Sequence, residues 1–167
     1  MKIAVHDANI LIDLVDAGLF ETWCKTGLEM VATDLVRHEI NHPKQRQILD
    51  NCVKRGILKI ETLDTDALTE VVVCAGQNKI SIADASAYHI AIRLKAILLT
   101  GDQKLKGVAE TAGLETHGVI WVFEHLIAVK LLLPVEAAER LEKLLKQGSF
   151  LPRPVCEDCI KKWRSQV

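Results

Sequence analysis

The sequence predicts an α/β fold, a parallel sheet with helices on both of its faces, and three observations carry that expectation. Short aliphatic or β-branched runs alternate with longer amphipathic ones along the chain, the pattern of strands joined by helical crossovers. At 167 residues the chain is one domain's length and can bury a core unaided. A hydrophobic share of 49% with 26% charged residues marks a globular chain and excludes disorder. No internal repeat, low-complexity run or linker divides it. Residues 1–147 read as one domain and residues 148–167 as an irregular tail, which holds two of the four prolines.

The elements follow in order. Residues 2–6 (KIAVH) read as a buried strand, and Ile10, Leu11, Leu14 and Val15 then recur at helical spacing. A helix over residues 20–26 closes on Gly27, LEMVA at 28–32 is a second strand, and residues 35–41 form a helix that Pro43 ends. Residues 44–55 are helical up to Gly56, and LKIETL at 58–63 alternates as a strand does. Helices follow at 65–77 and 81–95, the second with Ser81 as its N-cap. AILLT at 96–100 is the most strand-like run, and residues 103–112 form a helix ending on Gly113. A weaker strand at 115–120 precedes helices at about 122–130 and 135–147.

Lys and Arg number 21 against 22 Asp and Glu, a formal net charge of −1. That excludes a global basic field of the kind that holds proteins on nucleic acid, so any such binding must be local. The N-terminal run carries His6 and Asp7 and too little positive charge for a signal peptide or membrane span. The expectation is a cytoplasmic protein with no membrane association. Five scattered cysteines give no disulfide framework, in keeping with a reducing compartment.

Sites in open parallel sheets lie beyond the carboxyl ends of the strands, which directs attention to four acids. Asp7 follows the first strand, Asp102 follows AILLT, Glu39 lies in the helix after LEMVA, and Asp84 opens the helix before AILLT. Read singly, three of them have simpler roles. Asp84 sits at capping-box spacing from Ser81, Asp102 is placed to cap a helix, and Glu39 fits a solvated face. Asp7 does not, because a carboxylate behind a buried strand is costly unless paired or bound to metal. Four converging carboxylates repel one another unless a cation compensates, and an all-oxygen site suits Mg²⁺ or Mn²⁺. Such ions acidify water and stabilise charge on a phosphodiester in an in-line displacement. A phosphatase with an aspartyl nucleophile would need a second Asp two residues after Asp7, where Asn9 stands.

These residues resemble the PIN-domain nucleases, VapC-like proteins among them. VHDANILIDL at 5–14, LVRHEI at 35–40, SIADASAYHIA at 81–91 and LLTGDQKL at 98–105 carry the resemblance, over about residues 1–120. It implies a three-layer α/β/α sandwich, divalent-metal-dependent ribonuclease activity on RNA, frequent homodimers, and frequent service as the toxin of a toxin–antitoxin pair with a protein antitoxin. Position by position, Asp7, Glu39, Asp84 and Asp102 match the family's metal-ligating and catalytic acids, Asn9 its small polar position and Thr100 its hydroxyl. Lys104 departs from the pattern, for many relatives carry another acid there. A charged Lys cannot ligate a cation, so a second metal position is in question, and a catalytically degenerate module binding RNA or protein is the alternative.

Cys156 and Cys159 have the spacing of half a zinc site, which needs four ligands. Free thiols are the favoured reading and zinc the alternative, with His117, His125 or a second subunit completing it. His6 reads as packed into the sheet. Arg93, Lys95, Lys104, Lys106, Lys161, Lys162 and Arg164 are candidates for phosphate contacts or for solvated faces. With three Trp, three Phe and one Tyr in the chain, base stacking is not expected to dominate binding.

Overall fold

The computed structural model describes residues 1–166. Strands β1 (Ile3–His6), β2 (Glu29–Thr33), β3 (Leu58–Glu61), β4 (Ile97–Leu99) and β5 (Thr116–His117) form one sheet in the order β3-β2-β1-β4-β5, with every pairing parallel. Val5 pairs with Val31 on one side and Leu98 on the other, so β1 is central, and residues 4–7 and 96–100 are buried without a break. Parallel strands covered on both faces read as continuous apolar runs, which is why AVH and AILL could be recognised.

Between the strands run α1 (Ala8–Asp16), α2 (Phe20–Trp23), α3 (Asp34–His38), α4 (Pro43–Lys54), α5 (Thr65–Asn78), α6 (Ile82–Leu94), α7 (Gln103–Thr111), α8 (Val119–Ala128), α9 (Pro134–Lys146) and α10 (Arg153–Ser165). Helices on both faces complete the α/β/α sandwich. The chain builds β1, β2 and β3 outward in one direction, then returns to lay β4 on the other side of β1. The strand order reverses there, and the crevice beyond the carboxyl ends of β1 and β4 is where such sheets place ligands.

The C-terminal segment corrects the sequence reading. Residues 153–165 are not irregular; they form α10, which packs along α9 with Cys156, Ile160 and Trp163 inward. Those three lie at i, i+4 and i+7, a helical stripe, and Trp163 stacks on Phe123 at 5.7 Å. Pro154 misled the sequence reading. It lies in the first turn, where a missing N–H costs nothing. The strand expected at 115–120 shrinks to Thr116–His117, because Gly118 becomes the N-cap of α8 and turns Val119, Val122, Phe123 and Leu126 into the core. The helix expected at 35–41 covers only Asp34–His38, with Glu39 as its C-cap.

Candidate active site

Each acid is placed by a junction between elements. Asp7 is the N-cap of α1: its Oδ1 accepts from Ile10 N at 2.8 Å, while its own N–H continues the sheet to Leu99 O. Asp102 caps α7 in the same way, with Oδ1 accepting from Leu105 N at 2.8 Å. The two are joined through Thr100, whose hydroxyl donates to Asp7 Oδ2 and accepts from Asp102 N at 3.0 Å. Asp84 sits in the first turn of α6, where Ser81 Oγ accepts from its N–H at 3.0 Å. Glu39 is exposed at the end of α3, pinned by the fully buried Ile40 beside it. Asn9 is exposed on the first turn of α1.

Two hydroxyls that sequence reasoning missed hold α3 against α6. Thr33 caps α3 by accepting from Val36 N at 3.0 Å, and it donates to Ser86 Oγ at 2.7 Å; Ser86 in turn donates to Ala83 O at 2.6 Å. Both are fully buried, so they fix the helix carrying Asp84 relative to the one preceding Glu39. Thr33 had a readable signal, since it stands directly after the LEMVA run as Asp7 stands after KIAVH, although the strand itself extends through Thr33. Arg37 braces the same turn from outside through Asp50 at 2.6 Å.

Burial is the main cause of the electrostatics here. Asp7 is 2% exposed, and desolvation raises its pKa from an ordinary 3.8 to about 6, against its hydrogen bonds and with Asp84 adding to the rise. Desolvation likewise raises Asp84, opposed by Ser81 and reinforced by Asp102 and Glu39. The four carboxylates are thus electrostatic neighbours. Among the described residues, no three His, Cys, Asp or Glu side chains are already drawn together closely enough to hold an ion; oxygens of Asp7 and Asp102 are turned to their helix N–H groups instead.

None of the four acids pairs with a Lys, Arg or His among the described residues, although acids elsewhere do: Glu21 with Arg55, Asp50 with Arg37, Glu61 with Arg93, Glu142 with Arg164. Arg93, Lys162 and Arg164 are engaged in such pairs, and Lys95 caps α6 at the opposite end of the sheet. Lys104 remains near the acids, exposed on the first turn of α7.

His6 packs into the sheet as expected. Its Nδ1 donates to Val31 O at 3.0 Å and its Nε2 accepts from Trp23 Nε1 at 2.9 Å, and burial lowers its pKa to about 4, so it is neutral. Cys156 is in the core on the inner face of α10, where burial pushes its thiol up to about 11. His117 and His125 each stack on Trp121, at 4.0 and 5.0 Å between ring centres.

Comparison with known proteins agrees with this geometry. No curated protein matches the chain. The crystal structure of PAE2754 from Pyrobaculum aerophilum is similar, with a TM-score of 0.54 and 19% identity over 76% of this chain and 98% of that one, a likeness of fold. The family model DUF3368, described as a PIN domain, matches residues 3–165, α10 included, and the chain therefore belongs to the PIN-domain family, whose fold is of the nuclease type.

Proposed function

We propose that the protein is a divalent-metal-dependent endoribonuclease, with Asp7, Glu39, Asp84 and Asp102 as its metal-holding and water-activating acids. The observation that carries this reading is the set of four neighbouring carboxylates, one of them buried, that no Lys, Arg or His among the described residues pairs with. An all-oxygen donor set of net negative charge fits Mg²⁺ or Mn²⁺. When bound, such an ion supplies charge compensation at the scissile phosphate and acidification of water.

The chain's own residues do the rest. Thr100 holds Asp7 and the start of α7 in fixed register, and the exposed Asn9 amide offers a donor to a phosphate oxygen. Asp84, whose pKa burial raises, is the candidate to take the proton from an attacking water. The water oxygen bonds to phosphorus, the bond to the leaving ribose oxygen breaks, and that oxygen takes a proton from solvent, to which Asp84 later returns the one it accepted. Lys104, two residues past Asp102 on the first turn of α7, is the candidate for a phosphate contact.

The test is hydrolysis of single-stranded RNA with Mn²⁺ or Mg²⁺ against chelator, in wild type and Asp102→Asn. The expected result is cleavage that needs metal, and in the variant a loss of orders of magnitude in rate with RNA affinity nearly unchanged. Full-rate cleavage by Asp102→Asn contradicts the mechanism. RNA binding without cleavage by wild type favours the degenerate binding module, for which Lys104 is the specific observation.

Within the same reading the protein is cytoplasmic and acts as a toxin held by a protein antitoxin; a short gene beside its own, encoding a chain that suppresses the cleavage, is the expected finding. No helix among the described residues is long and apolar enough to cross a membrane. A homodimer is supported by Leu68, Val72 and Val73, which α5 leaves exposed.

A further inference from the structure

We propose that a cleft beside the carboxylates seats one nucleobase of a single-stranded RNA and selects bases bearing an exocyclic amine over uracil. The inference rests on the RNA-cleaving reading of the neighbouring site and adds the recognition that reading lacks. The cleft has a volume of about 460 Å³, within the ~300–1,000 Å³ of small-ligand sites. Asn9, Thr100 and Gly101 line its inner end. A base seated there therefore belongs to the same strand as a phosphate at the acids.

Its walls match a base on three sides. α1, which Asp7 caps, presents Asn9, Asp13 and Asp16 into it at i, i+4 and i+7, one face of a helix. Ser149, on the turn between α9 and α10, donates to Asp13 Oδ1 at 2.9 Å and ties the opposite wall in place, while no donor among the described residues reaches Asp13 Oδ2. Oδ2 is thus the acceptor open to a donor brought by a ligand, on a carboxyl whose pKa burial raises against the Ser149 hydrogen bond, with Asp16 adding to the rise.

Phe150 stands at the rim, fully exposed, whereas Phe20, Phe123, Trp23 and Trp163 are all in the core. A free aromatic face at a cleft mouth is a stacking platform for any base. Lys106, on the α7 side, supplies the cation for a backbone phosphate by leaving its long, exposed pair with Glu110 at 3.9 Å.

Selectivity follows from the acceptors. Adenine, cytosine and guanine each carry an amino group that can donate to a carboxylate, whereas uracil turns two carbonyl oxygens toward it on either side of its one N–H. A well-made pair of such contacts discriminates by about ten- to a hundredfold.

The test is equilibrium binding of fluorescent oligoadenylate, oligocytidylate and oligouridylate in chelator, where no strand is cut, with cleavage of a mixed-sequence RNA in Mn²⁺ measured alongside. Wild type should bind oligoadenylate or oligocytidylate at least about tenfold tighter than oligouridylate. Phe150→Ala, a fully exposed site that leaves the core intact, should weaken all three by about tenfold. Asp13→Asn, which keeps an acceptor for Ser149, should reduce the preference to within about threefold; Asp16→Asn is the second variant should that one fail to fold. Equal affinities in wild type, or a preference and affinity untouched by these substitutions, overturn the proposal and leave the cleft to a protein segment. Mixed RNA that is cut while affinities stay indifferent sinks the subsite and spares the nuclease; base preference without cutting does the reverse.

Discussion

Asp7 holds the native state at a cost that pH can reveal. Its pKa is raised to about 6 in the fold, so the native chain binds that proton more tightly than the unfolded chain does. The stability this confers is complete below the unfolded value of about 4 and is lost as pH rises through 6. At ~1.4 kcal/mol per unit the loss is about 3 kcal/mol. Asp7→Asn keeps an acceptor for Ile10 and removes the charge. In chelator the variant should melt above wild type at pH 7, and the gap should close by about pH 4; a gap constant over that range contradicts the assignment. His6 acts in the opposite sense, since its pKa is lowered to about 4 and acid below 6.5 costs native stability, but it does so in both proteins and drops out of the comparison. Thr100 provides a second test at this scale. Thr100→Val breaks both bonds that join Asp7 to Asp102 and should lower kcat for RNA by about ten- to a hundredfold with KM little changed, while Thr100→Ser restores the rate. The placement of the four acids at junctions between elements was legible because each follows or precedes a strand. Their lack of cationic partners was not, nor was the bond between Thr33 and Ser86, which are 53 positions apart in sequence.

Among the elements, the strands and long helices were readable from period and punctuation, and the departures have local causes. Gly118 starts α8 early and so cuts β5 short. Pro152 and Pro154 suggested an irregular tail, yet they mark a helix N-terminus, and the stripe of Cys156, Ile160 and Trp163 beyond them carries the packing. α9 is itself tied to the start of the fold, for Arg140 donates to Ala17 O at 2.7 Å and its guanidinium crowds Gly18, where φ is +68° and a side chain would be strained. If α10 is part of the core, Trp163→Ala should cost about 3–5 kcal/mol, visible in denaturant melts as a single shifted transition. A loss below about 1 kcal/mol would mean that α10 is an appendage after all.

For the whole molecule, the reversal of strand order beside β1 sets where chemistry belongs, and it puts Asp7 and Asp102 on the two sides of the crevice between β1 and β4. The order of strands was not available from sequence, which shows that strands alternate with helices but not which side of β1 receives β4. If the four acids hold a cation as proposed, binding to the native state alone stabilises it. At saturating Mn²⁺, about a hundred times its Kd, the gain is about 2.7 kcal/mol, or roughly 5–10 °C in Tm. The most direct test of the central claim is calorimetric titration of Mn²⁺ into wild type, Asp7→Asn, Asp84→Asn and Asp102→Asn, each checked for folding. The account predicts saturable binding by wild type that each substitution weakens by at least about tenfold. Mn²⁺ binding that survives all three substitutions unchanged, or no binding by the folded wild type, would contradict it.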